Sequence, residues 1–312
     1  MLVSIVVPSY RMENCANLAD AIDSLLRQSY ADIEVVVVLH TSKDLHEKIA
    51  RDYDGRAKLK VLFERRSLGA SAARNIGIRV ARGDVLAFLD DDAVADQKWV
   101  ENLVDSYQEL QAMAVGGKIL PLWLPAKPAY FPEELYWLVG ATHKGFAEDA
   151  VVEVRNVFAS NMSFRKEVFE QVGLLNESLG FGNQGKSYVQ GSEAEFALRM
   201  TGKLGKRVIY NPRAVVYHRI PVSKARIGLL LKRSFYQGYS KALLQRLTSC
   251  TNAISIEKSH LKHLVSEYIP QRIGRILTGP YRAAEAKQLL VLVSCVVAVG
   301  LGFMYGYVGR AK

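Results

Sequence analysis

Cysteine is scarce in this chain and badly placed for bridging. The three present, Cys15, Cys250 and Cys295, are odd in number and far apart. They exclude a disulfide framework and a CxxC metal pair, and they suit a reducing compartment. Internal repeats and low-complexity tracts are also missing. What remains is one sizeable core, or one domain with an appendage, built from 312 residues that are 49% hydrophobic. The opening MLVSIVVPSY has no basic stretch before its apolar run and meets Pro8. It is expected to be a strand and not a signal peptide. Nucleic-acid-binding motifs are absent too, so no nucleic-acid partner is expected.

Charge of both signs is missing from one stretch. From Gln288 to Gly309, QLLVLVSCVVAVGLGFMYGYVG, no residue is charged. About 20 such residues span a hydrocarbon core of roughly 30 Å, so 288–309 is read as a transmembrane helix. The competing reading is a buried core helix, which is usually shorter. Arg272, Arg275, Arg282 and Lys287 precede it, which places the large N-terminal part in the cytoplasm by the positive-inside rule. The net charge of +10 and pI near 9.4 call for an acidic partner, such as an anionic membrane surface or a phosphorylated small molecule. Residues 224–247 mix basic and apolar side chains at helical spacing. They suit a membrane-surface helix or an ordinary amphipathic core helix.

The first ninety residues alternate in type. Apolar runs at 2–7, 33–39, 59–63 and 84–89 are separated by helical patterns at 14–28, in the forties, and from Gly69 to Arg82. Strand and helix in alternation predict a parallel sheet with crossovers. Ligands of such sheets bind beyond the carboxyl ends of the strands. Pro8–Arg11, Leu39–Ser42 and the triplet Asp90, Asp91, Asp92 all lie at such ends. Further on, a helix is predicted over 97–111 and a strand at AVGGKIL. An irregular region rich in proline and aromatics should cover 121–150. Helices follow at 165–172 and 192–201, then two short strands, RVIYNP and AVVYH.

Three carboxylates in a row repel each other. A solvated turn accounts for one aspartate, and Asp96 already suits the start of the following helix. A divalent cation removes the repulsion, and hard carboxylate oxygens suit Mg²⁺ or Mn²⁺, commonly with substrate phosphates completing the site. A second carboxylate stands out in GSEAEFALRM. Ser192 and Glu195 fit a capping box, and Glu195 and Arg199 fit a helical ion pair. Glu193 has neither excuse: on a helical wheel Phe196, Ala197 and Met200 share its side. A carboxylate among them should be desolvated, with a raised pKa that suits a general base. The alternative is a carboxylate that merely favours a helix N-terminus.

VSIVVPSY, LGASAARNIGI (68–78), GDVLAFLDDDA (83–93), NVFASNMSFRKEVFEQVGLLNE (156–177) and GSEAEFALRM (191–200) together resemble family 2 glycosyltransferases over roughly residues 1–220. The resemblance implies an α/β, GT-A fold, a Rossmann-like nucleotide-diphospho-sugar transferase architecture. Here it carries a C-terminal helical, membrane-associated extension. The divisions are 1–220 for catalysis, 221–287 for a basic juxtamembrane region and 288–309 for the membrane helix. It implies an inverting sugar transfer from a nucleotide-sugar donor, with Mn²⁺ or Mg²⁺ as cofactor. Asp92 and His218 would hold the metal. Pro8, Ser9, Tyr10, His40, Arg74, Asp90 and Asp91 would contact the donor, and Glu193 would be the base.

One departure is visible. Many relatives end the second strand with DDGS, whose aspartate reads the base, and here the match is Leu39-His40-Thr41-Ser42. Base selectivity is open, with uridine the family default. The stretch HRIPVSKARIGLLLKRSFYQGYSKALL is similar to archaeal transferases that extend dolichyl-phosphate-linked sugars in protein glycosylation, glucuronosyltransferases among them. A lipid-linked saccharide acceptor at the cell membrane is therefore expected. The alternatives are a transferase for cell-surface polysaccharide, a nucleotidyltransferase, and a non-catalytic membrane scaffold.

Overall fold

Val3–Ser9 forms strand β1 because its residues are β-branched or small and alternate between two buried faces. In the computed structural model, residues 1–147, 149–179, 189–248 and 254–309 are described. Cys250 and the basic tail at 310–312 lie outside them. The elements that follow β1 are α1 (Cys15–Leu26), β2 (Ile33–His40), α2 (Lys43–Asp52), β3 (Leu59–Glu64), α3 (Ala70–Val80), β4 (Val85–Phe88), β5 (Ala93–Ala95), α4 (Trp99–Glu109), β6 (Ala114–Leu124), β7 (Val152–Val154), β8 (Met162–Arg165), α5 (Lys166–Val172), α6 (Ser192–Leu204), β9 (Val208–Pro221), α7 (Ile227–Thr248), α8 (Ser255–His263), α9 (Ile269–Thr278) and α10 (Arg282–Val308).

The chain divides into two compact units. The first comprises Met1–Leu120, Ala147–Ser187 and Ser192–Arg219. Its sheet runs β3-β2-β1-β4-β8-β6-β9-β5, with β7 on β9. The first four strands are parallel, as the alternating pattern predicts. Beyond β4 the expectation of a parallel sheet fails, because β8 joins β4 antiparallel, Val85 opposite Arg165. β8 is only four residues long, MSFR, too short to show a period. Val3, Ile5 and Val7 pack with Leu18, Ile22 and Leu25 of α1 on one face. Each such side chain contributes about 1.5–3 kcal/mol on burial. On the other face α3 comes so close that a Cβ on Gly77 would overlap the Val6 side chain. This explains the small residues of α3.

RVIYNP and AVVYH, expected as two strands, form the single strand β9, which runs through Pro212. The Asn211 side chain bridges the interruption. Its Oδ1 accepts the Arg213 N–H, while its Nδ2 donates to Asn102 O and Ser106 Oγ. Asn161, at the mouth of β8, is a second buried cross-link. It accepts the Trp99 indole N–H at 2.9 Å and donates to the carbonyls of Lys118 and Ala214.

The second unit comprises Pro121–Phe146, Tyr188–Gly191 and Ile220–Lys312. The stretch expected to be irregular carries a 3-10 segment, Glu133–Val139, ended by Gly140 at φ 79°. Trp123, Phe131 and Tyr136 form an aromatic cluster, with ring centroids 5.4–6.0 Å apart. Arg272, named above among the basic residues that precede the apolar stretch, is buried. It pairs with Glu134 at 2.6 Å and with Glu285 at 2.7 Å, and donates to Gln288. Its charge is spent inside this unit and does not face outward. α10 is long and apolar enough to cross a membrane, by length and composition.

Candidate active site

Parallel strands β1, β2 and β4 share a register, Ser9 opposite Leu39 and Val6 opposite Phe88. Their carboxyl ends therefore open on one edge of the sheet. The three aspartates that follow β4 part company there. Asp91 turns back under β1, where Ser9 Oγ and Asn14 Nδ2 both donate to its Oδ2. Burial, and then the neighbouring Asp92 charge, push its pKa up to about 6 against the opposing pull of those two hydrogen bonds.

Asp90 pairs with Arg74, whose Nη2 lies 2.7 Å from Asp90 Oδ1. Arg74 is not a surface cation: it is 5% exposed, on the inner face of α3. Its Nε is buried without a hydrogen-bond partner. Such a donor is costly to leave unsatisfied unless something else occupies its side of the site.

Asp92 meets His218. β5 pairs antiparallel with β9, Ala93 opposite His218. Asp92 O accepts the Arg219 N–H at 2.8 Å, so the ladder itself sets His218 Nε2 3.1 Å from Asp92 Oδ1. Among the described residues no three His, Cys, Asp or Glu side chains cluster as a complete cage. A divalent ion nonetheless fits the pair. Two adjacent ligands of an octahedral ion with bonds of about 2.1 Å lie about 3 Å apart. A magnesium-type site keeps its remaining positions for water and substrate phosphate. The imidazole Nδ1 of His218, on the far side of the ring from Asp92, is buried without a hydrogen-bond partner.

Next to the triplet, the loop after β1 meets the end of β2. The Tyr10 ring stacks on His40 at 5.2 Å and 9°, and the Arg11 guanidinium lies 5.0 Å over Tyr10. His40 is 4% exposed. Burial lowers its pKa and keeps it neutral, and its Nδ1 accepts the Leu68 N–H at 3.4 Å. It backs Tyr10 and does not face solvent. Thr41 holds a left-handed φ of 66°, and its hydroxyl donates to Tyr10 O and His40 O. Pro8 is the last β1 residue before Ser9, opposite Val38.

Glu193 stands in the first turn of α6. Ala194, Phe196, Ala197 and Met200 make the buried face of this helix, and Glu193 is half-buried beside it. This is less enclosed than the helical wheel suggests. No hydrogen bond or ion pair occupies its carboxylate among the described residues. Glu195 is fully used: Arg199 grips both its oxygens at 2.8 and 2.9 Å and also donates to Val172 O and Leu174 O. The reciprocal capping box therefore gives way to the ion pair.

The structure thus joins Ser9, the three aspartates, Arg74 and His218, and separately joins Tyr10 with His40. No contact links Glu193 to either group. Asn14 was not singled out from the sequence, and Arg11 entered only as the end of the stretch Pro8–Arg11, with no role of its own. Asn14 belongs to no motif, and its role appears only once α1 is placed beneath the triplet. Arg11, adjacent to Tyr10, could have been suspected as a cation beside an aromatic.

Residues 4–173 match the family model described as Glycosyl transferase family 2. The chain is 36% identical over 307 residues to the glucosyl-dolichyl phosphate glucuronosyltransferase of Haloferax volcanii, covering 98% of this chain and 96% of that one. Among solved structures, it is similar to the mannosyltransferase PcManGT of Pyrobaculum calidifontis, in complex with GDP-Man and Mn²⁺. The TM-score is 0.61 at 18% identity, over 97% of this chain and 87% of that one. It is also similar to residues 1–349 of S. aureus TarS in complex with UDP-GlcNAc. There the TM-score is 0.53 at 16% identity, over 97% and 92% of the two chains.

Proposed function

The chain belongs to glycosyl transferase family 2, and we propose that it moves a sugar, with inversion, from a nucleotide-diphosphate donor to a saccharide carried on a polyprenyl or dolichyl phosphate. The observation that carries the donor half is the meeting of Asp92 with His218 beside the Arg74–Asp90 pair. The acceptor half is supported by the near full-length likeness to an enzyme named for glucosyl-dolichyl phosphate. UDP is the favoured nucleotide; the two structural relatives carry UDP-GlcNAc and GDP-Man, so the assay must name the base. In this reading residues 1–220 perform catalysis, while 221–287 and 288–309 attach the protein to the cell membrane. Arg275, Arg282 and Lys287 favour the cytoplasmic face.

Asp92 and His218 would hold Mn²⁺ or Mg²⁺, which supplies Lewis acidity toward the departing diphosphate. Arg74, fixed by Asp90, adds a buried positive charge on that side of the site. Asp91, tied to Ser9 and Asn14, fixes the loop so that its two neighbours diverge. Tyr10, backed by His40 and flanked by Arg11, offers a flat face for the nucleobase, with Pro8 and Ser9 shaping the loop. Glu193 takes the proton of an acceptor hydroxyl. That oxygen attacks the anomeric carbon from the face opposite the diphosphate. The bond to the diphosphate oxygen breaks, and the nucleoside diphosphate leaves with the electron pair.

The test supplies labelled nucleotide sugars singly to the full chain in detergent, with Mn²⁺ and a polyprenyl-phosphate glycan extract. Label should enter the lipid phase, vanish with EDTA and vanish in Asp92→Asn. Glu193→Gln should keep nucleotide binding and lose transfer by about 10²–10⁴-fold. Release of pyrophosphate in place of a nucleoside diphosphate would overturn the reading in favour of a nucleotidyltransferase.

A further inference from the structure

α10 is held on one side and bare on the other. Toward α7 the two backbones touch. A Cβ on Gly238 would overlap Val299 O, and one on Gly302 would overlap Phe235 O. Gly306 rests on Ala242 and Tyr239. At the far end Arg246 donates to Tyr307 O at 2.5 Å and Gly309 O at 3.4 Å. Residue numbers rise together along the pair, so α7 and α10 run parallel and in contact through most of the uncharged stretch. Small residues that allow such approach are typical of tightly packed helices.

α7 is not itself a membrane helix. Gln237 donates to Gln190, and Ser240 Oγ accepts the Gln190 N–H at 2.9 Å. Lys241 pairs with Glu257 of α8 at 2.7 Å. The start of α10 is anchored too, with Gln288 donating to Ala129 O and receiving Arg272. A helix so fastened cannot cross a bilayer alone. It would carry Lys241, Glu257 and Arg246 to membrane depth, where charged groups are costly.

The opposite face of α10 is different. Leu290, Val293, Val297, Leu301, Met304 and Val308 are 42–77% exposed. Their spacing of three and four makes one stripe along the helix. In α9, Ile273 and Leu277 are exposed as well. Around these apolar faces the charge is strongly one-signed. Residues 220–312 hold fourteen Lys and Arg against three Asp and Glu, while 1–219 hold twenty-seven against twenty-eight. The whole positive excess of the protein lies in this segment, with Lys258, Lys262, Arg275, Arg282 and Lys287 exposed. An apolar stripe bordered by cations is complementary to an anionic lipid surface.

We infer that α10 does not cross the membrane but lies along one leaflet, its exposed stripe in the acyl boundary of an anionic lipid surface and both its ends on the same side. This rests on the membrane attachment in the reading above and replaces the spanning helix with a monotopic one.

The test uses the full chain with Cys15, Cys250 and Cys295 changed to Ala, and with Lys287→Cys and Lys312→Cys added. It is reconstituted into sealed vesicles of phosphatidylcholine and phosphatidylglycerol and treated with a membrane-impermeant maleimide. Mass spectrometry counts labels per molecule. A helix lying in one leaflet gives molecules with two labels or none, whichever leaflet they occupy. A spanning helix gives one label per molecule and would overturn the inference. In parallel, Val297→Glu with Leu301→Glu should lower binding to these vesicles at least tenfold with an unchanged melting profile. Wild-type binding should weaken in pure phosphatidylcholine or at high salt. Failure of the wild type to bind either vesicle, with the stripe buried in a dimer instead, would also overturn it. None of these measurements reads sugar transfer, so their failure is separable from failure of the transferase reading.

Discussion

The aspartate triplet shows how three identical side chains acquire three tasks. Asp90 is given to Arg74, Asp91 to Ser9 and Asn14, and Asp92 to His218. Their crowding can be seen in the sequence, and so can the inference that positive charge must meet them. Which carboxylate takes which partner cannot, because the partners come from β1, the turn before α1, α3 and β9. A prediction follows for Arg74. Arg74→Ala removes a buried charge and leaves Asp90 without its ion pair. It should lower kcat/KM by about 10²–10³-fold, the usual scale for one preorganised electrostatic group. Arg74→Lys should rescue only part, since an ammonium cannot reproduce the guanidinium fork. Steady-state kinetics with the labelled donor decides. A loss below threefold in Arg74→Ala would remove this residue from the mechanism.

At the scale of elements, long periodic segments such as α1, β2 and α3 could be read ahead of the structure, and short ones could not. β8 has four residues and no period, yet it turns the sheet from parallel to antiparallel. Its place is secured by Asn161 and by Tyr107 OH, which donates to Ser163 Oγ at 2.8 Å. α8 shows a comparable dependence on distant partners. His260 of this helix packs edge-on against His143, with centroids 4.5 Å apart. His143 Nδ1 donates to Lys144 O at 2.8 Å. Burial, then the neighbouring His260, lowers the pKa of His143 to about 4, and burial lowers that of His260 as well. Between pH 6.5 and 4 the unfolded chain takes up protons that the folded one refuses, so stability falls as the pH drops through that window. The His143 share amounts to something on the order of 3 kcal/mol at pH 4. Thermal melts across the window should show a shallower pH dependence in His143→Phe than in wild type. Equal slopes would mean that the pair is not titrating against the fold.

For the molecule as a whole, ligand binding offers the most direct check on the crevice. If Asp92, His218, Arg74 and the Tyr10 platform form one donor site, UDP and Mn²⁺ should stabilise the protein together. A hundredfold excess over Kd adds about 2.7 kcal/mol, a rise of several degrees in Tm. Either one alone should do much less, and Asp92→Asn should abolish the joint effect. Equal shifts from UDP with and without Mn²⁺ would show that the metal does not bridge protein and nucleotide. The segregation of charge acts at this scale too. A nearly neutral segment, 1–219, precedes a strongly basic one, 220–312, and in the proposed reading the first would serve the soluble donor and the second the membrane-borne acceptor.

The sequence by itself determined the fold class and the family, and it pointed to the carboxyl ends of the parallel strands as the candidate site. Alternating apolar runs specify parallel strands, and ligands gather at their carboxyl ends. The same local information carried the Glu195–Arg199 ion pair, because helical spacing alone brings those two residues together. Only the tertiary structure decided that Arg74 is a buried partner of Asp90, that His218 lies opposite Ala93 beside Asp92, and that His40 supports Tyr10 from beneath. Only it decided that α10 has one face committed to α7. Composition counts apolar residues along a helix. Which of its faces is already occupied depends on segments distant in sequence, and contact between them exists only after the chain has packed.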